Sequence, residues 1–481
     1  MAPKKRSRPT PGRQGSKRGP ATRIERDTLG EVRVPAAALW GAQTARAVEN
    51  FPISALREPR ALIDAVVRIK IAAARVNARL GLLPRPKARA IEAAGREVLA
   101  GRWDGQFVVD AYQAGAGTSF HMNVNEVLAN RAAEIRGGRR GDRSVDPNDD
   151  VNMAQSTNDV IPTAMRLAAL ATAPAAVEAL TELAATFEKK ARAWDGIVKS
   201  GRTHLMDATP IRLGQEVSGW AAALRAAAAR VNDALPELAA LGIGGTAVGT
   251  GVNAHRRYQE LVVKELSRLC KIPLFPAPNP FYAMQSLAPF AALSGALRVA
   301  AIELIRIGGD VRLLASGPGT GLAELRLPAV QPGSSIMPGK VNPSMAEMLA
   351  MVGHQVIGLD EAIAWASASG QLELNVTMPL VAWNLLHEIE ILTNGVRAFD
   401  RRLARGLEAD PERARFYAER TVSLATALAP RIGYEAAAAI VKESLRSGRS
   451  IADLAVEMAG IAPGEARRLL DPARLTRPGR A

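Results

Sequence analysis

GSSIMPGKVNP, Gly333 to Pro343, sets two adjacent serines, a lysine and an asparagine inside eleven residues. Glycine and proline punctuate it, and apolar sequence with helical spacing lies on both sides. A helical chain that interrupts itself in this way builds either a polar turn or a mobile loop that handles an anion. Asn342 suits a helix cap and Pro343 the first helical position, so the spacing predicts a helix from 344. The N-terminus of such a helix carries partial positive charge and suits a carboxylate. Lys340 would add a full charge at the same end, and Glu347 lies one turn into the helix. Gly333 and Gly339 permit backbone angles that other residues avoid.

Four further polar stretches border long apolar segments. They are AGAGTSFHMNVNEV (114–127), DPNDDVNMAQSTNDVIPTA (146–164), KSGRTHLMDATPIRLGQE (199–216) and LGIGGTAVGTGVNA (241–254). Between them, Ala- and Leu-rich sequence predicts helices over 160–198, 212–238, 286–315, 344–368 and 377–402. A helix of about 28 residues reaches about 40 Å. Several side by side imply an elongated, all-α bundle. Many are apolar on more than one side, which implies burial, including burial between subunits. From about 403 the helices shorten. The expected division is a basic tail at 1–22, an N-terminal domain at 23–150, a central helical-bundle domain at 151–402 and a small helical domain at 403–481. No repeat period appears, and no strand leads into a Gly-rich turn as in nucleotide-binding α/β folds.

The chain of 481 residues is 48% apolar, which fits a folded globular protein. No uninterrupted apolar run of membrane-spanning length occurs, so no transmembrane helix is expected. A single cysteine, Cys270, offers no disulfide framework, and a cytoplasmic setting is the simplest reading. Of the net charge of +15, seven positive charges fall in residues 1–22, which contain no acid. That segment has little to bury and is expected to be disordered. A solubilising tail is its simpler reading and a nucleic-acid contact the lesser one.

In QSTND (155–159), Ser156 and Thr157 offer hydroxyls, Asn158 an amide and Asp159 a helix cap. In GRTHLMDA (201–208), His204, one of five histidines, follows Thr203. The glycine-rich 242–251 lacks the GK[ST] ending of a phosphate loop and reads as a tight turn between helices. Neither HExxH nor HxxEH spacing occurs, so no metal centre is expected. Hydroxyls, amides, one lysine and one histidine suit a small dianionic acid held by hydrogen bonds. They suit elimination or addition chemistry, in which charge develops on a carboxylate.

GSSIMPGKVNP resembles the GSSxMxxKxN signature of the fumarase/aspartase superfamily. The other polar stretches, GQLELNVTMP (370–379) and IGYEAAAAIVKESL (432–445) resemble family segments in family order, from about Arg23 to the end. The resemblance implies an all-α fold whose central helices pack from four subunits into one bundle, with each active site drawn from three subunits. It implies that Ser334 is the general base, and that Ser335, Lys340 and Asn342 hold one carboxylate. Thr118, Ser119, Ser156, Thr157 and Asn158 would bind the other carboxylate and the leaving group. Thr203 and His204 complete the pocket, with Glu347 orienting His204. The intermediate is a carbanion drawn out as an aci-carboxylate, and no cofactor is implied.

Within the family, GAGTS (115–119) and GQLELNV (370–376) are similar to the aspartate ammonia-lyase branch. The expectation is therefore elimination of ammonia from L-aspartate and a place in aspartate metabolism. The alternatives are a class II fumarate hydratase, or a non-catalytic binding protein on this scaffold. Phe120 and His121 depart from the family pattern, which usually shows a smaller residue and then Asn. That departure leaves the substrate open.

Overall fold

The computed structural model describes residues 21–333 and 335–479. The tail reading, apart from Ala21 and Thr22, and the proposed base Ser334 lie outside the described residues. The chain forms two compact units. One takes in the sequence up to Ile161 together with Ile243–Ile272; the other comprises Pro162–Gly242 and Pro273 onward.

In chain order, β1 (Thr22–Asp27) pairs antiparallel with β2 (Gly30–Pro35). Helices α1 (Ala42–Asn50), α2 (Arg60–Arg79), α3 (Arg85–Leu99), α4 (Thr118–Ile135) and α5 (Thr157–Ala193) follow. A hairpin of β3 (Val198–Thr203) and β4 (Met206–Arg212) leads into α6 (Leu213–Asp233). Then come α7 (Tyr258–Cys270), α8 (Pro280–Gln285), α9 (Ala288–Leu314), α10 (Ser344–Ala368) and α11 (Met378–Phe399). Five short helices close the chain: α12 (Pro411–Ala418), α13 (Ala429–Ile432), α14 (Tyr434–Ser447), α15 (Ile451–Ala459) and α16 (Pro463–Leu469). The fold is all-α, with small two-stranded ribbons.

In the first unit, α2 is buried along most of its length and packs against α3 and α7. Gly95 of α3 makes that approach close, since a Cβ there would stand 2.8 Å from the Ile71 side chain. Helix α1 has no side-chain cap of its own at Gly41. The buried Glu126 of α4 serves instead: its carboxylate accepts from the backbone N–H groups of Gly41, Gln43 and Thr44 and from the Thr44 hydroxyl. Three donors that a helix start leaves without partners are thereby satisfied from another helix.

In the second unit, α9 packs against α6 and α10, and α10 against α11. Gly353 of α10 faces Ile305 of α9, where a Cβ would be 2.6 Å from the isoleucine side chain. Phe187 of α5 meets Trp220 of α6 edge to face at 5.4 Å. The shorter C-terminal helices bury Leu424, Leu428, Ile440, Leu454 and Leu469 in a cluster of their own.

By length and composition α5 and α9 could cross a membrane, although the sequence reading expected no such helix. Neither helix is an uninterrupted apolar run, but a few scattered polar side chains still leave each apolar on average. Most of the apolar stretch of α5 is buried inside the protein, and α9 packs against α6, α10 and α11.

Candidate active site

Ser156, Thr157 and Asn158 stand at the start of α5, all partly buried. The cap there is Ser156, whose hydroxyl accepts from the Asn158 backbone N–H at 3.2 Å. Asp159, expected as the cap, sits inside the first turn and reaches back to the Ser156 N–H at 2.9 Å. This is the reciprocal arrangement of a capping box. The second carboxylate oxygen of Asp159 accepts from the Gly244 and Thr246 backbone N–H groups at 2.9 and 3.0 Å. The Asn158 amide donates to the Ala247 carbonyl at 2.7 Å. The glycine-rich stretch is therefore a loop that clasps the start of α5. Gly244 has φ +94 and lies against Gln259, so a side chain there would meet both strain and a clash.

Thr118 and Ser119 open α4, after Ala116 and Gly117 with positive φ. Thr118 is exposed. One turn on, His121 is fully buried, and its Nδ1 lies 2.8 Å from the Thr157 hydroxyl. This contact ties the start of α4 to the start of α5 and joins two of the sequence-predicted groups. Two helix N-termini, both bearing hydroxyls, make this region suited to an anion.

Behind it lies a residue the sequence reading missed. Lys70 of α2 is completely buried, and its Nζ lies 2.6 Å from His121 Nε2. It donates to Asn152 Oδ1 at 3.0 Å and Gln155 Oε1 at 2.9 Å. Burial holds the Lys70 ammonium well below the usual lysine range, against the attraction of Asp159. Burial also holds His121 well below the usual histidine range, and the Lys70 charge adds to this. The Asp159 carboxyl is pushed up to about 6 by burial, against its three backbone donors and Lys70. The available signal is a lysine between Ile69 and Ile71, on the apolar face of an amphipathic helix.

In the second unit, Thr203 ends β3, and His204 and Leu205 form the hairpin turn with φ of 57 and 61. Thr203 and His204 are both exposed. The root of the hairpin is an ion cluster: Lys199 Nζ lies 2.8 Å from Glu216 and 3.0 Å from Glu324, and Arg202 lies 3.0 Å from Glu324. Gly201 is required inside the hairpin, since a Cβ there would sit 2.5 Å from the Thr209 carbonyl oxygen. The cluster and this close approach hold the strand that presents Thr203 and His204.

Ser335 and Lys340 are exposed in the segment before α10, and Asn342 is partly buried. The structure corrects the expected cap. Pro343 occupies the N-cap position, and no side chain caps α10 among the described residues. The Asn342 amide instead donates across the loop to the Gly333 carbonyl. The loop also folds tightly there, because a Cβ on Gly333 would overlap the Lys340 carbonyl oxygen. Glu347 lies 3.9 Å from Arg312, and within one chain no ion pair joins it to His204 among the described residues. No cluster of His, Cys, Asp or Glu suited to a metal occurs among the described residues.

A family model described as lyase matches residues 30–358, and one described as fumarase C C-terminus matches residues 424–477. The chain is 49% identical over 439 residues to a class II fumarate hydratase of Ralstonia nicotianae, covering 91% of this chain and 95% of that one. It is 48% identical over 459 residues to the class II fumarate hydratase of Thermus thermophilus, covering 95% and 98%. Among solved structures, a class II fumarase from Schistosoma mansoni superposes with TM-score 0.92 at 36% identity, covering 95% of this chain and 99% of that one. A fumarate lyase:delta crystallin from Brucella melitensis superposes with TM-score 0.91 at 46% identity, covering 95% and 100%.

These relatives overturn the expectation of an aspartate ammonia-lyase and of a place in aspartate metabolism. The two stretches behind that expectation have structural duties. GAGTS supplies the positive φ values of Ala116 and Gly117 before α4. GQLELNV forms a tight turn in which Gln371 bridges Leu374 and the Asn375 amide donates to the Ala366 carbonyl. Neither arrangement distinguishes a hydroxyl leaving group from an amine.

Proposed function

We propose that this chain, which belongs to the fumarase/aspartase superfamily, is a fumarate hydratase of the class II type that interconverts malate and fumarate. The observation that carries the reading is 48–49% identity to class II fumarate hydratases across more than nine-tenths of the chain. The site chemistry supports it. Hydroxyls at two helix starts and the Asn158 amide donate to one carboxylate, while Lys340 and Asn342 donate to the other. In the dehydration direction, Ser334 removes a proton from the carbon next to a carboxylate. The electron pair moves into that carboxylate, which gains charge and is stabilised by fixed donors. The neighbouring C–O bond then breaks, and the hydroxyl leaves as water after taking a proton. A serine base needs a closed, water-poor pocket with positive charge nearby, and Lys340 supplies that charge.

The remaining expectations join this proposal. The active enzyme is a homotetramer with shared sites, works on a small dicarboxylate in the cytoplasm, and divides at about residues 150 and 402. Fumarate incubated with the enzyme in D2O tests the chemistry. Malate with one deuterium on the carbon next to a carboxylate is expected, and Ser334→Ala should abolish its formation in an intact tetramer. Product formed at the wild-type rate by Ser334→Ala would refute the base, and absence of malate from the wild type would refute the activity.

A further inference from the structure

Three groups in the first unit form an unbroken line from the core to the proposed carboxylate site. Lys70 Nζ meets His121 Nε2 at 2.6 Å, and His121 Nδ1 meets the Thr157 hydroxyl at 2.8 Å. The orientations of the two amides around Lys70 are fixed by their own donors. The Gln155 amide nitrogen donates to the Val151 and Met153 carbonyls, and that of Asn152 to the Gln155 carbonyl. Both amide oxygens therefore face Lys70 and accept from it.

Two of the lysine protons are committed to those oxygens. The third position faces His121 Nε2. Burial disfavours the imidazolium, and with a neutral imidazole only two arrangements are consistent. With Lys70 an ammonium, it donates to Nε2. Neutral imidazole then carries its proton on Nδ1 and donates to Thr157, and the threonine hydroxyl proton is free for a ligand. With Lys70 a neutral amine, the chain reverses: Nε2–H donates to the amine, Nδ1 accepts the Thr157 proton, and Thr157 offers a ligand only lone pairs. A carboxylate accepts but does not donate, so only the first arrangement binds it. The charged or titratable groups facing this line are Asp159 of α5, which attracts the Lys70 charge, and Tyr258 of α7, which faces Asp159.

We propose that Lys70 is a positioning residue: as an ammonium it holds His121 in the Nδ1–H tautomer, which frees the Thr157 hydroxyl proton to be donated to the substrate carboxylate. This rests on the reading of Ser156, Thr157 and Asn158 as a carboxylate site. It gives His121 a purpose at the position where the chain departs from the family pattern.

Kinetics of Lys70→Met, Thr157→Val and the double variant test it with malate and fumarate. Each single variant should raise KM on the order of tenfold to a hundredfold, as for loss of one hydrogen bond to a charged group, with kcat changed less. The double variant should be no worse than Thr157→Val alone, because Lys70 acts through that hydroxyl. Losses that multiply would overturn the proposal, since a purely structural lysine would act independently of Thr157. A second measurement needs no folded Lys70 variant. 15N NMR of histidine-labelled wild-type enzyme should show the Nδ1–H tautomer for the resonance that disappears in His121→Asn. An Nε2–H tautomer there would overturn the proposal. If the wild type turns over neither malate nor fumarate, the functional reading fails, and the tautomer alone decides this inference.

Discussion

Asp159→Asn separates two effects of one buried carboxylate. Asp159 is fully buried and accepts three backbone N–H bonds, and burial raises its pKa from an ordinary 3.8 to about 6. The folded state therefore binds this proton more tightly than the unfolded chain. Between pH 3.8 and about 6 the folded state carries more protons, so stability falls as pH rises through that window. The interval corresponds to about 3 kcal/mol, at 1.36 kcal/mol per pKa unit. Asparagine removes this ionisation cost but turns one oxygen into an amide nitrogen that faces N–H donors. A buried N–H without a partner costs about 1–3 kcal/mol. Above pH 7 the two effects nearly offset, and the two proteins should lie within about 2 kcal/mol of each other. The stability of the wild type minus that of Asp159→Asn should fall by about 3 kcal/mol from pH 3.5 to pH 7. Urea unfolding of both proteins at matched pH reads that difference. Activity should still drop, because the clasp between the α5 start and the 244–246 loop is loosened. A difference that stays flat or rises with pH would refute the reasoning, since the N–H donors and Lys70 would then outweigh burial.

Other perturbations have distinct signatures. Glu324→Gln leaves the buried Lys199 and the partly buried Arg202 without their shared carboxylate, and should cost about 3–5 kcal/mol, read as a lowered thermal midpoint. Glu126→Gln should cost about 1–3 kcal/mol, because an amide nitrogen would face one of the N–H groups at the α1 start. Lys340→Met, at an exposed position, should raise KM for fumarate by roughly tenfold to a hundredfold with the thermal midpoint unchanged.

The long helices were legible because Ala/Leu periodicity persists over many turns, and α9, α10 and α11 begin within two residues of their expected starts. Segment 199–216 was less so. Its β3–β4 hairpin depends on an approach of Gly201 to Thr209 that no local pattern displays. The groups at the α5 start were legible as hydroxyls and an amide. Their support was not: Lys70 and His121 lie 51 residues apart in sequence, and Lys70 and Gln155 lie 85 apart. Periodicity reports which face of a helix is buried, not which distant polar group meets a buried lysine. Asn342 looked like a cap because its residue type suits one, yet the tight fold of Gly333 against Lys340 gave its amide a different partner. The branch within the family is not legible in GAGTS and GQLELNV, whose likeness to the aspartate ammonia-lyase branch lies in stretches that shape the backbone.

The most direct test of the account is absorbance at the fumarate band with L-malate and L-aspartate as separate substrates. Malate should generate fumarate without release of ammonia, and aspartate should generate none. Fumarate and ammonia from aspartate, with malate inert, would contradict the account.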